Sequence, residues 1–175
     1  CFYHLVYSGR ANNLTMEDLH PKIKRNVLEF IFKKTCDFYR KGLDIQVLTV
    51  DNHADGPYLY LKLRKENHKQ VQECLNLLEL NGGNGSGIKI AAVDSFGNIY
   101  PDQFWRNHSL GNIREKCFSH IWNDTTNSFL AKLRNRKPLL KGRCQRCKFL
   151  FICNGNFRAR AEAVYSDPWA EDPAC

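Results

Sequence analysis

The chain of 175 residues carries 26 Lys and Arg against 18 Asp and Glu, a formal net charge of +8, with 43% hydrophobic and 25% charged residues. This is ordinary globular composition and excludes a disordered chain, and no apolar run approaches the roughly 20 residues that span a bilayer. The positive balance favours an anionic partner, whether nucleic acid, an acidic membrane or a polycarboxylate small molecule.

Residues 2–8 read as a β-strand that ends at Gly9-Arg10, with the turn-formers Asn12 and Asn13 behind it. Thr15, three residues before Asp18, has capping-box spacing. Ile23, Val27, Phe30, Ile31 and Phe38 then fall on one helical face, with Pro21 in the first turn or at its true start and Gly42 as the stop. Residues 45–50 form a short apolar strand with both faces covered, ending in Asp51-Asn-His-Ala-Asp-Gly56. A second strand is expected over 58–63, followed by a helix that turns Val71, Cys74, Leu75 and Leu78 inward. Strand, helix, strand, helix is the rhythm of α/β architecture with parallel strands.

Asn81-Gly-Gly-Asn-Gly-Ser-Gly87 breaks that rhythm, as a flexible linker or as a loop whose backbone closely approaches a ligand. It lacks the Lys-Ser/Thr ending of a phosphate loop. Residues 88–93 and 98–100 flank Asp94-Ser-Phe-Gly97 as a β-hairpin, and helical stretches follow around 112–122 and 124–136. The natural boundary is the glycine segment, giving units 1–80 and 88–175 joined by a linker at 81–87.

Four of the eight cysteines lie in the last segment, as Cys144-x2-Cys147-x5-Cys153 and the final Cys175. A Cys-x2-Cys turn points two thiolates at one place, and two further cysteines complete a cage that suits either Zn²⁺ or an iron–sulfur cluster. The scattered Cys1, Cys36, Cys74 and Cys117, with no secretory signal in view, read as small buried hydrophobes in a reducing, cytoplasmic compartment. Asp51, His53 and Asp55 fall at the C-terminal end of a parallel strand, where α/β proteins place their sites. Trp105, Arg106 and His108, with Arg158 and Arg160, offer aromatic faces and carboxylate-binding forks near the cysteine module.

The run Asp94-Ser-Phe-Gly-Asn-Ile-Tyr-Pro-Asp102, then Leu110-Gly-Asn-Ile-Arg114, Ile121-Trp122 and Gly142-Arg-Cys-x2-Cys-x5-Cys-Asn-Gly-Asn156 is similar to the SPASM domain, which carries an auxiliary [4Fe–4S] cluster in radical SAM enzymes. With Tyr3-His-Leu-Val-Tyr-Ser-Gly-Arg10, Asp51-Asn-His-Ala-Asp-Gly56, Phe157-Arg-Ala-Arg-Ala-Glu162, Asp167-Pro-Trp169 and Asp172-Pro-Ala-Cys175, the chain resembles the heme-biosynthesis branch of that family, the AhbC-like and NirJ-like enzymes. The resemblance implies an α/β chain: the end of a partial (β/α) radical SAM barrel followed by a SPASM-type iron–sulfur domain. It makes Cys144, Cys147, Cys153 and Cys175 the ligands of one auxiliary [4Fe–4S] cluster. It also implies a siroheme-derived tetrapyrrole substrate that loses acetate side chains, or propionates in the heme d1 variant. Arg106, Arg158 and Arg160 would hold its carboxylates, and Trp105 and His53 would line its flat face. The radical SAM Cys-x3-Cys-x2-Cys motif is absent, so S-adenosylmethionine and a second [4Fe–4S] cluster are expected on a part upstream of residue 1. A reductant such as ferredoxin or flavodoxin is the expected partner, with no nucleic acid and no membrane. Many SPASM proteins have a cysteine where Asp102 stands and another three residues past Cys153, where this chain has Asn156. The reading from another class is a zinc-binding nucleic-acid module.

Overall fold

In the computed structural model, which describes residues 1–175, β1 (Phe2–Tyr3) and β2 (Thr49–Val50) pair in parallel, Phe2 opposite Thr49 and Tyr3 opposite Val50. The crossover between them is α1 (Pro21–Arg40), so the first third of the chain is a βαβ unit. Pro21 marks the true start of α1, because its missing N–H costs nothing in the first turn; His20 caps that turn by accepting from the Lys22 N–H at 3.3 Å. The capping box expected at Thr15 does not form. Thr15–Glu17 is a 3₁₀ turn, and the Asp18 carboxylate instead accepts from the Tyr7 hydroxyl at 2.6 Å and pairs with the buried Lys24 ammonium. Ile31 is buried under α1, whereas Ile23, Val27 and Phe30 of the same apolar stripe stay open to solvent.

The strand expected over 58–63 is a helix, α2 (Asp55–Lys65). Tyr-Leu-Tyr-Leu-Lys-Leu alternates like a strand, but Asp55 and Pro57 sit in a first turn and Lys62, Arg64 and Lys65 in a last one, a charge order that favours helix. α3 (Val71–Asn81) follows and ends at Gly82, whose φ of 67° closes the helix with its N–H on the Leu78 carbonyl. α2 and α3 pack against each other closely enough that a Cβ on Gly56 would meet the Leu78 side chain.

The segment 81–87 is no flexible spacer. Gly83 to Gly87 are buried, and a Cβ on Gly83, at φ +69°, would collide with the Cys153 backbone. The Asn84 N–H donates to the Cys153 carbonyl at 3.1 Å, and Asn154 Nδ2 donates back to the Asn84 carbonyl at 2.8 Å. Arg136, itself buried, fixes the loop from the other side by donating to Asn84 Oδ1 at 2.7 Å and to the Ser86 carbonyl. The glycines serve close approach to the cysteine lobe.

The expected hairpin forms as β3 (Ala92–Val93) and β4 (Asn98–Tyr100), with β5 (Gly111–Asn112) completing an antiparallel sheet. Asp94 organises its turn by accepting from the Phe96 and Asn98 N–H groups, both at 2.9 Å. The helical stretches shrink to α4 (Phe118–Trp122) and α5 (Ser128–Arg134): Asn112 is taken by β5, Asp124 makes a turn onto Thr126, and Asn127 caps α5 through the Leu130 N–H. The cysteine lobe consists of α6 (Gly142–Gln145), α7 (Leu150–Cys153) and α8 (Arg158–Tyr165). Trp105, Leu133 and Ala159 form its core, flanked by Phe104, Phe129 and Trp169. No helix is long and apolar enough to cross a membrane.

Candidate functional site

The four C-terminal cysteines come from four separate positions of the lobe. Cys144 is in α6, Cys147 follows it in a turn with its N–H on the Cys144 carbonyl at 3.2 Å, Cys153 ends α7, and Cys175 returns from the last segment. Burial pushes the Cys153 thiol up to about 12, with the neighbouring Cys144 and Cys175 adding to it, and burial likewise raises Cys175, again with Cys144 beside it. The Phe149 N–H donates to Cys147 Sγ at 3.4 Å.

No three His, Cys, Asp or Glu side chains converge on one ion-sized point. The buried Arg158 guanidinium lies beside the Cys144 thiol, and its Nε has no partner, an unused donor next to sulfur that ligation would make negative. Four thiols are a donor set that suits an iron–sulfur cluster or a zinc ion.

Arg158 and Arg160, expected at a substrate's carboxylates, are sealed inside at 0% exposure. Arg158 donates to the Gly155, Pro168 and Ala170 carbonyls. Arg160 donates from Nε to Asp172 Oδ1 at 3.0 Å, from Nη1 to the Leu5 carbonyl at 2.8 Å and from Nη2 to the Asp51 carbonyl at 3.1 Å. Both terminal nitrogens of each arginine are spent on the chain's own acceptors, so neither fork is available to a substrate carboxylate. Trp105 is likewise core rather than a stacking face: it is 1% exposed and its indole N–H donates to Glu162 at 2.6 Å, beside His108, which meets the same carboxylate at 2.7 Å. Arg106 alone of the three arginines is exposed. It has no ion-pair partner and lines a cleft of about 420 Å³ with Ser8, Asn12, Asn107 and Glu162.

His53 opens on a different space, a cavity of about 440 Å³ between the end of β2 and the cysteine lobe. Asp51, Asn52, Asp55, Asn84, Ser86 and Asp102 also face it, and no lysine or arginine does. The chain turns into it through Asp51 at φ 67°, a conformation unusual for a side-chain-bearing residue. Asp102 accepts from the Ser86 hydroxyl and from the Phe104 N–H at 2.8 Å, and burial raises its carboxyl above the usual range. Asp55 Oδ2 meets His4 Nε2 at 2.8 Å while its Oδ1 is buried without a partner. This cavity is rich in acceptors and poor in cations, so it suits hydroxyl or ammonium donors and disfavours carboxylates. Asn84, Ser86 and Asp102, which line it, and Asn156, which supports it from behind, were not legible as its frame, because they come from three separate loops.

Burial lowers the His53 imidazole to about 4, so the ring is neutral at pH 7. Its ordinary value near 6.5 is regained on unfolding. Between pH 6.5 and 4 the unfolded chain therefore binds a proton that the folded one refuses, and stability should fall as pH falls through that window. The loss from this residue should be on the order of 2–3 kcal/mol. Thermal denaturation from pH 7 to pH 4.5 should show a steeper decline for the native chain than for His53→Gln; equal slopes would put the histidine elsewhere.

Residues 86–148 match the family model of SPASM, the iron–sulfur cluster-binding domain. Along its whole length it is 53% identical to Fe-coproporphyrin III synthase of Methanosarcina barkeri, covering 45% of that protein. Over 98% of the chain it is 37% identical to Pre-heme d1 synthase of Dinoroseobacter shibae, covering 43% of it. Both relatives are named as synthases, and the similarity to them runs along essentially the whole chain. The chain spans less than half the length of either relative, and no solved structure matches it. The SPASM match favours iron–sulfur over zinc; it takes in Cys144 and Cys147 and ends before Cys153 and Cys175.

Proposed function

We propose that the chain is part of a radical SAM enzyme that removes acetate side chains from a siroheme-derived tetrapyrrole. Cys144, Cys147, Cys153 and Cys175 would hold the auxiliary [4Fe–4S] cluster. S-adenosylmethionine and a second cluster would be bound by a part outside these residues, with a ferredoxin or flavodoxin as reductant. The observation that carries this reading is the 53% identity along the entire chain to an enzyme named for making Fe-coproporphyrin III. The lower identity to Pre-heme d1 synthase makes propionate removal the second reading.

The auxiliary cluster would supply one-electron redox capacity beside the substrate. The chain's own residues would divide the remaining work. Arg106, at the mouth of its cleft, offers a planar fork to a ring carboxylate. The acid-rich cavity keeps carboxylates away from Asp51, Asp55 and Asp102 and offers acceptors to donor groups. Neutral His53 can take or give a hydrogen bond there without adding charge. Full-length enzyme given S-adenosylmethionine, a strong reductant and the siroheme-derived precursor should yield Fe-coproporphyrin III by mass spectrometry. Turnover of S-adenosylmethionine with the acetates intact would overturn the assignment.

Charge-assisted hydrogen bonds contribute roughly 1.5–3 kcal/mol each. Replacing Arg106 by Ala in the full-length enzyme should therefore weaken tetrapyrrole binding about tenfold to a hundredfold in an absorbance titration, with iron content unchanged. Unaltered affinity would remove Arg106 from the substrate site.

A further inference from the structure

The loop that forms the wall of the acid-rich cavity is held chiefly by the cysteine lobe. Asn156 Oδ1 accepts from the His53 N–H at 2.8 Å, and its Nδ2 donates to Asn52 Oδ1 at 2.6 Å. The next residue, Phe157, stacks on the His53 ring with centroids 5.5 Å apart and planes 21° apart. Arg160, from the first turn of α8, holds the Asp51 carbonyl. Residues 51, 52 and 53 are thus each gripped by a side chain or ring from residues 156–160, a segment that begins three positions after Cys153.

The grip is built rather than incidental. Asn156 is 1% exposed and sits at φ 58°, a left-handed conformation that Asn tolerates better than most residues. Both ends of its amide are used, which fixes its orientation. The Asn156 N–H donates to the Cys153 carbonyl at 3.1 Å, so the amide's base is tied to a thiol-bearing turn while its tip holds the cavity loop.

We propose that Asn156 is a positioning residue that sets the shape of the His53 cavity from the cluster lobe, so that an ordered cysteine lobe is a condition for a formed cavity. The proposal rests on the reading of Cys153 as a cluster ligand and of the cavity as part of the reaction chamber. Asn156 touches no cavity ligand itself; it acts through Asn52 and His53. Asn156→Ala removes both contacts, whereas Asn156→Asp keeps an acceptor for the His53 N–H and loses only the donor to Asn52.

Hydrogen–deuterium exchange on the full-length enzyme tests this without any substrate. In the native protein the amide of His53 should be protected. In Asn156→Ala its exchange should be about tenfold or more faster, while iron content and melting temperature hold; Asn156→Asp should restore most of the protection. Removing iron with a chelator should speed exchange over 51–53 in the native protein as well. A tetrapyrrole titration on the same variants should show affinity falling in the same order. Unchanged exchange at His53 in Asn156→Ala, or exchange that rises only together with a loss of iron and a general drop in melting temperature, would overturn the positioning role. Changed exchange with no tetrapyrrole binding by any variant would instead leave the positioning role standing and sink the substrate assignment.

Discussion

Replacing Cys153 by Ser in the full-length enzyme should cost it one cluster's worth of iron, about four atoms per chain after anaerobic reconstitution, with a matching loss of sulfide. Cys153 is central to the group: it couples to both Cys144 and Cys175, and its turn carries the glycine loop on one side and Asn156 on the other. Without a metal the Cys153 and Cys175 thiols are neutral at pH 7, as their raised values require, so ligation must expel protons and the cluster's binding energy becomes folding energy of the lobe. The same loss is expected for Cys144→Ser, Cys147→Ser and Cys175→Ser. Cys117→Ser should leave iron untouched, because that thiol is exposed and faces Ser119 and His120, away from the group. Stoichiometric zinc without sulfide in the native protein would refute the cluster, and full iron in Cys153→Ser would remove that residue from the ligand set.

Local signals in the sequence reached the elements that short-range chemistry determines. Pro21 and Gly42 bracket α1, the Asp94–Gly97 turn closes its hairpin, and the spacing of Val71, Cys74, Leu75 and Leu78 matches the half-buried face of α3. The parallel pairing of β1 and β2 followed from the long helix between two apolar runs. Residues 58–63 were misread because an alternating Tyr/Leu run satisfies the strand pattern, while the first-turn Asp55 and Pro57 that argue for helix lie outside it. The glycine segment was ambiguous for a physical reason: the same residues that make a linker flexible also let a backbone pack with no side chain between, and only the proximity of Cys153 decides.

The site was less legible than the fold. The Cys144-x2-Cys147-x5-Cys153 spacing announces itself because a short turn points neighbouring thiols at one place, whereas Cys175 returns from 22 residues further on. Arg158 and Arg160 look in sequence like surface cations, and burial reverses their meaning. Their acceptors are carbonyls of residues 5, 51, 155, 168 and 170 and the carboxylate of Asp172, a set that no spacing rule predicts. The frame of the His53 cavity is likewise drawn from loops near residues 52, 84, 102 and 156, brought together only by the tertiary fold.

The pair Arg160–Asp172 should be among the most costly in the chain to break. Both side chains are at 0% exposure, and Asp172 also accepts from the Phe157 N–H at 2.9 Å and the Ala174 N–H at 2.8 Å. One carboxylate thus anchors the start of α8 and the turn before Cys175, while its arginine reaches across to the carbonyls that follow β1 and β2. Arg160→Ala would leave that carboxylate buried with two amide donors and no cation, and would strip the Leu5 and Asp51 carbonyls of a donor. Removing one partner of a buried pair typically costs 3–5 kcal/mol, because the surviving charge is uncompensated. For a protein of this size each kcal/mol moves the melting temperature by roughly 2–4 °C, so a drop of about 6–20 °C is expected. Asp172→Leu should be comparably damaging. The double change Arg160→Met with Asp172→Leu should cost clearly less than the two single changes together, since neither charge is then stranded. Thermal denaturation of the three variants measures the coupling directly. Additive losses would mean that the carbonyl contacts of Arg160, and not its charge on Asp172, hold the two halves of the site in register.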